Sequence, residues 1–299
     1  MSAILPAISS EDDYTKVYAD TSVWLPAMKV ISARHGLAVS ELRRATLGTN
    51  VVFRTETRII KLFSHLWYDD FTCESSALNH VQGLPVPQLV AMGELEGWPY
   101  LVMTIVPGLP ALEVWGRLDR PVQTSIIEEL GRLLRQLHGH PPIAALATDW
   151  SSFLRDRITQ AEVHHRAGEP WRSWIRMRLA GFEEPSFEPV LLNADITEDH
   201  VLLSEQGGRW GISGLIDFGD AKMGHAYYDF VAPLAFYTFG QPWLARTLVE
   251  SYGLRLTGEV AERLTTYCLL HEFGRVGDFL SRCPVSDGDG FHRALWGEL

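Results

Sequence analysis

One stretch constrains this chain more than any other, the run NADITEDHVLLSEQGGRWGISGLIDFGD between Asn193 and Asp220. A polar loop leads into Val201-Leu202-Leu203, a Glu205-Gln206-Gly207-Gly208 turn follows, and Trp210 to Ile216 returns to an acidic corner. Two apolar runs around such a turn read as a β-hairpin. Antiparallel pairing sets the residues before the first strand beside those after the second, so Asp195 and His200 come close to Asp217. Adjacent carboxylates repel unless a cation sits between them, and a divalent metal with its anionic ligand is a natural filling. A surface hairpin with solvated acids is the plainer alternative for these residues taken alone.

Length and composition bound the rest. The chain has 299 residues, 46% of them hydrophobic, enough for a large core in one two-lobed body or two domains. A net charge of −11, from 26 basic and 37 acidic residues, argues against a nucleic-acid surface and favours a cationic ligand only weakly. Cys73, Cys268 and Cys283, an odd count without close pairs, read as a reduced intracellular chain. The N-terminus carries Glu11, Asp12 and Asp13 and no basic-then-apolar leader, and no apolar run approaches ~18 residues. The expectation is a cytoplasmic protein with no membrane partner, a monomer by default with oligomers left open.

In chain order, the first twenty residues read as a loosely ordered lead-in. Trp24, Ala27, Met28 and Ile31 then fall at helical spacing, which predicts a helix from Thr21 or Ser22 with Pro26 in its first turn and Gly36 at its end. Val51-Val52-Phe53 and Ile59 to Phe63 read as strands around the turn Thr55-Glu56-Thr57, preceded by a loop with Gly48-Thr49-Asn50. Lys61 stands inside an apolar strand, where it must snorkel or meet an anion, and Glu74, on a helix thirteen residues on, is a candidate partner. Leu84-Pro85-Val86-Pro87 stops that helix, and Trp98 to Val106, ending in Pro107-Gly108, is a buried strand running into a connector.

Beyond it, Ile126, Leu130, Leu133, Leu134 and Leu137 make one helix face closed by Gly139, with His138 and His140 at the end that favours cations. Ser151 to Arg178 reads as helical, and His164-His165, about 100° apart on a helix, as surface. Helical periodicity returns through Trp243, Leu244, Leu248 and Tyr252, then Ala261, Leu264, Tyr267, Leu270 and His271.

Asp195 followed five residues later by His200, with Asp217-Phe218-Gly219 beyond a hairpin, resembles the catalytic loop and metal-binding corner of the kinase fold. GLIDFGDA, then Gly224 and Asp229-Phe230, is similar to the aminoglycoside phosphotransferase family, and Asp220 and Asp229 match family acids. The segments Ile59 to Phe63, Trp98 to Met103, Cys268 to Val276 and Phe291 to Gly297 resemble hygromycin B 7″-kinases in particular. The chain departs from the family where the usual His-Gly is Asn193-Ala194, the usual Asn is His200, and the usual GDP is Gly224-His225-Ala226. Macrolide kinases of the same superfamily also carry His at the position of His200.

The resemblance implies an α+β, two-lobed, protein-kinase-like fold, with a small antiparallel sheet lobe over residues 1–106 and a mostly helical lobe over 107–299. It implies ATP or GTP and Mg2+ as cofactors and a small-molecule hydroxyl acceptor, possibly cationic. Asp195 would be the catalytic base, with His200 and Asp217 on the metal and the Lys61–Glu74 pair on the phosphates. Gly48, Thr49 and Asn50 would cover the phosphates, while Met103 and the backbone of Thr104 and Val106 would meet the nucleobase. Glu198, Asp199, Asp220, Glu272 and Asp278 would stand near the mouth for a polycationic acceptor. Two rivals stay open, a kinase of macrolides or small hydroxyl metabolites, and a catalytically weak nucleotide-binding pseudokinase.

Overall fold

Period-two alternation over the first hundred residues builds a five-stranded antiparallel sheet in the order β1-β2-β3-β5-β4. The strands are β1 (Arg43–Ala45), β2 (Val51–Arg54), β3 (Arg58–Leu62), β4 (Leu89–Leu95) and β5 (Trp98–Thr104). The protein was analysed as a computed structural model, which describes residues 3–39, 42–45 and 48–299. Thr46 and Leu47, in the approach to the expected phosphate loop, lie outside the described residues. β5 has neighbours on both sides and cores on both faces, which explains its unbroken apolar sequence. Its Trp98, Tyr100 and Val102 pack with Trp24, Met28 and Ile31, while Leu101 and Met103 join Leu78 and Val81 in the main core. On β3 the same alternation buries Ile60 and Leu62 beside Val102 and turns Ile59 and Lys61 to the opposite face.

The helices α1 (Glu11–Tyr18) and α2 (Thr21–Arg34) cover one face. The first twenty residues are thus not a loose lead-in. Leu5, Ile8 and Tyr14 are buried, and Glu11, Asp12 and Asp13 form the first turn of α1, where the helix dipole favours acids. Pro26 sits in the second turn of α2, one turn later than expected. The helix α3 (Tyr68–His80) crosses the other face and carries Glu74.

The second lobe is mostly helical. Its axis is α5 (Arg120–His138), which follows β6 (Leu109–Pro110) and the short α4 (Ala111–Val114) and buries Ile126, Ile127, Leu130, Leu133, Leu134 and Leu137. Each such side chain contributes about 1.5–3 kcal/mol. The expected single helical stretch is two helices, α6 (Trp150–His165) and α7 (Trp171–Leu179), parted where Arg166 takes a left-handed turn. His165 is buried, not on the surface, with Nε2 on the Leu269 carbonyl and Nδ1 accepting from Val276 N–H. The remaining helices are α8 (Val231–Pro233), α9 (Pro242–Tyr252), α10 (Gly258–Tyr267), α11 (Val276–Arg282) and α12 (Gly288–Trp296).

Two small antiparallel pairings position the chemistry. β8 (Val201–Gln206) pairs with β9 (Arg209–Leu215), and β7 (Val190–Leu192) pairs with β10 (Lys222–Gly224). Val201 therefore faces Leu215 while Leu192 faces Lys222, which fastens loops 193–200 and 216–221 together at both ends. β9 is tied to the first lobe, since Leu215 N–H donates to the Pro85 carbonyl between α3 and β4 at 2.9 Å, and it packs on the connector so closely that a Cβ at Gly214 would strike Val106.

Candidate active site

A cavity of about 340 Å³ lies between the lobes. Its apolar walls are Val52, Ile59 and Met103 from the sheet and Leu202 and Ile216 from the hairpin, residues that sequence reading, Met103 apart, did not single out. Thr104, Ile105 and Val106 close one side. Thr104 N–H is engaged by Gln88, whereas among the described residues no hydrogen bond takes the main chain of Val106. An apolar slot with unpaired main-chain groups beside it suits a flat heteroaromatic ring.

The polar end of this cavity is an ion cluster. Lys61 Nζ lies 2.7 Å from Glu74 Oε2 and 2.8 Å from Asp217 Oδ1, and the side chains of Lys61 and Glu74 are only 6% and 2% exposed. Burial opposes the lysine's charge, but Asp217 and Glu74 outweigh it and hold the ammonium well above its ordinary pKa. Burial likewise opposes ionisation of Asp217, and Lys61 and His200 override it, so Asp217 stays a carboxylate. Glu74 is pushed up by burial against the pull of Lys61. Two carboxylates occupy two of the three donors of an ammonium, which leaves one for an incoming oxyanion.

The loop carrying Asp195 is held from below by a buried carboxylate. Asp229 accepts from Asn193 N–H at 3.0 Å and Ala194 N–H at 2.7 Å, and His138 Nε2 lies 3.0 Å from the same group. His138, the last residue of α5, is therefore a buried bridge between Asp229 and the Tyr252 hydroxyl on its other nitrogen. Its place on the apolar side of α5 was the one sequence sign of this. Ala194 (φ 69°) and Asp217 (φ 60°) both adopt the left-handed region, which explains why glycine suits the first position and shows strain held at the site. Asn193 fastens the two corners, since its Nδ2 donates to the Asp217 carbonyl at 2.6 Å and its Oδ1 accepts from Asp195 N–H.

His200 lies between the acids, with Nδ1 2.8 Å from the Asp195 carbonyl and 3.2 Å from Asp195 Oδ2, and Nε2 3.7 Å from Asp217 Oδ2. Burial opposes its protonation, yet the hydrogen bond to Asp195 and the charges of Asp217 and Asp195 raise its pKa to about 9. Two carboxylates that keep an imidazole charged mark a place that calls for a cation. With Nδ1 turned to a carbonyl, Nε2, once its proton is displaced, and Asp217 Oδ2 could each ligate a divalent cation, the carboxylate oxygen suiting Mg2+ and the nitrogen a softer ion. Asp195 Oδ1 is buried and has no hydrogen-bond partner among the described residues.

A second cavity, of about 460 Å³, opens at Gly219 and Asp220. Its acids are Asp69 and Asp70 of α3, which sequence reading missed, with Asp220 and Glu272; Lys222 is paired to Glu272. Burial, then repulsion from Asp195, raises Asp220 to about 7. Glu198 is not a mouth acid, because it is buried against Arg282, and Asp278 is spent capping α11 through Arg275 N–H. Gly48, Thr49 and Asn50 do not line the first cavity, and sit in the loop beyond its wall residues Ala45 and Val52.

Fold and site together define a phosphotransferase of the protein-kinase-like type, a two-lobed protein with its ion cluster between the lobes. The chain belongs to the phosphotransferase enzyme family, whose sequence model matches residues 41–263. It is 26% identical over 225 residues to an aminoglycoside 3′-phosphotransferase of Streptomyces fradiae, covering 68% of this chain and 80% of that one. To a similarly named protein of Streptomyces ribosidificus it is 25% identical over 201 residues, covering 64% and 75%. Among solved structures, the GDP and kanamycin complex of an aminoglycoside 2″-phosphotransferase superposes with a TM-score of 0.69 at 17% identity, over 86% of this chain and 95% of that one. An aminoglycoside 3″-phosphotransferase from Streptomyces rimosus with ADP and streptomycin gives 0.57 at 18%, over 84% and 99%. These two structural likenesses speak to fold alone. Among the described residues no helix is long and apolar enough to cross a membrane.

Proposed function

We propose that the protein moves the γ-phosphoryl group of ATP or GTP to a hydroxyl of an aminoglycoside-type acceptor, with nucleotide held between lobes 1–106 and 107–299. The observation that carries this is Lys61 clamped by Glu74 and Asp217 at the end of an apolar slot, with Asp195 next to them across His200. The free donor of Lys61 takes a phosphate oxygen, and Met103 and the main chain of Thr104 and Val106 meet the base. Asp195 accepts a hydrogen bond from the acceptor hydroxyl. As the oxygen bonds to phosphorus and the bond to the β-phosphate breaks, the proton passes to Asp195 and the nucleoside diphosphate leaves. His200 and Asp217 would hold Mg2+, which when bound offsets the negative charge on the phosphates. Positioning and charge supply most of the acceleration and the base a smaller share.

The acidic second cavity supports a cationic acceptor, and the names of the relatives and neighbours point to aminoglycosides. The C-terminal segments make hygromycin the first acceptor to try. His200 favours a second reading, a macrolide acceptor. A coupled nucleotide-turnover screen against hygromycin, kanamycin, streptomycin, a macrolide and a small amino alcohol decides among them. Turnover with a macrolide alone supports the second reading, and nucleotide binding without turnover of any acceptor supports a pseudokinase.

A further inference from the structure

The phosphate loop of a kinase-like fold is useful only if its main-chain N–H groups are kept pointing at the nucleotide, and glycine-rich loops leave that to the ligand. Here the loop 48–50 has one glycine, and its main chain is held from outside. Tyr14 hydroxyl donates to the Thr49 carbonyl at 2.7 Å and Tyr18 hydroxyl to the Gly48 carbonyl at 2.6 Å. Asn50, buried, donates from Nδ2 to Asp70 of α3 at 3.0 Å. Among the described residues no hydrogen bond uses the N–H groups of Gly48, Thr49 or Asn50.

The two tyrosines stand one turn apart on α1, and that helix is anchored. Leu5 and Ile8 ahead of it are buried, and the Glu96 carboxylate at the β4–β5 turn accepts from Ile4 and Leu5 N–H at 2.8 Å. Trp24 Nε1 donates to the Tyr18 carbonyl at 3.1 Å, and the Tyr14 ring packs edge-on against Trp67 at 4.6 Å. The Arg44 guanidinium, on the strand leading into the loop, lies 4.6 Å over the Tyr18 ring. An anchored helix thus holds the carbonyls of a loop whose amides have no hydrogen-bond partner among the described residues.

We infer that α1 is a brace for the phosphate loop, with Tyr14 and Tyr18 as positioning residues that preorganise the Gly48–Asn50 amides for the phosphates of a nucleoside triphosphate. The inference rests on the nucleotide reading of the cleft, with the phosphates extending past Ala45 and Val52 to a loop that does not itself line the cavity. Preorganisation lowers the ordering cost at binding, and its loss falls on phosphate recognition and not on the base.

The test is Tyr14→Phe, Tyr18→Phe and the double variant in the full chain, each of which keeps its ring packing and loses only a hydroxyl. Affinities for ATP, GTP and the corresponding nucleosides are measured by titration and competition, with thermal melts alongside. The double variant is expected to bind triphosphate roughly three- to tenfold more weakly, the size of one or two lost neutral hydrogen bonds. Nucleoside affinity and acceptor KM should stay unchanged. Equal weakening of nucleoside and triphosphate means that the tyrosines merely stabilise the lobe, and unchanged triphosphate affinity means that they brace nothing; either result overturns the inference and leaves the cleft assignment standing. A wild-type protein that binds triphosphate no better than nucleoside overturns the cleft assignment and the brace with it.

Discussion

The two cavities that share the Asp217–Asp220 corner are built on opposite terms. The first is walled by side chains whose positions follow from strand register, and its buried charges are already paired: Lys61 faces Glu74 and Asp217 within 2.8 Å. The second is lined by residues from α3, from segment 145–148 and α6, from the loop after β9 with Lys222 of β10, and from the segment after α10, and its acids outnumber its one lysine. A register cannot shift at one residue without turning a whole strand over, whereas Asp69, Asp220 or Glu272 can change singly. On the proposed reading, the nucleotide side is therefore the half less open to single changes and the acceptor side the half more open to them.

Removing the paired lysine breaks this contrast most severely. Lys61→Ala strands Glu74 in the core without a partner, and is expected to cost about 3–5 kcal/mol of stability along with nucleotide binding. A urea midpoint close to wild type would show that the cluster is not a structural element of the cleft.

Acid should act on the other half. His165, His225 and His271 each use Nδ1 as an acceptor, from Val276, Tyr227, and Phe273 and Gly274 N–H, so each must stay neutral. Burial is the main cause that lowers them, to about 4, 3 and 3. Because the unfolded chain takes up protons below its ordinary histidine pKa of about 6.5 and the folded one does not, their contribution is full above that pH. It is lost as pH falls towards 4, by at most about 1.4 kcal/mol per unit for each ring. Hydrogen exchange across pH 7 to 4.5 should show α6, α10 and α11 loosening before β3 and β5; the sheet opening first would contradict this.

Catalysis should separate the halves again. Asp195→Asn is expected to lower kcat by ~10²-fold or more, the effect of a lost general base, with nucleotide affinity nearly unchanged. Wild-type turnover in this variant with an identified acceptor would remove Asp195 from its role. A smaller effect is expected at Asp220→Asn, a roughly tenfold rise in acceptor KM for a cationic acceptor with no change in nucleotide KM. If nucleotide KM moves instead, the two cavities are not functionally separate.

The mildest effect concerns His200. Imidazole suits softer ions than Mg2+, so Mn2+ should support turnover at least as well, and His200→Asn should restore a preference for Mg2+ by a few-fold. Unaltered metal preference in that variant would place the imidazole off the metal.

Much of the first cavity was legible because short-range patterns encode it. Period two predicts that Lys61 shares a face with Ile59, a lysine on such a face needs an anion, and the Gly207-Gly208 turn brings Asp195 and His200 beside Asp217. Less of the second cavity could be read. Five acids were candidates for its mouth, yet Glu198 is tied to Arg282 and Asp278 to a helix cap, while Asp69 and Asp70 enter from an element more than a hundred residues away.

The sequence by itself determined the 201–216 hairpin, the 51–63 strand pair and the helices α2 and α5, since hydrophobic period, turn residues and spacing are local quantities. Tertiary structure alone decided which polar groups are spent and which are free. Asp229 became a clamp for the Asp195 loop, His138 its buried partner and Tyr14 a hook on the Thr49 carbonyl, because hydrogen bonds between distant segments depend on packing that no local pattern records.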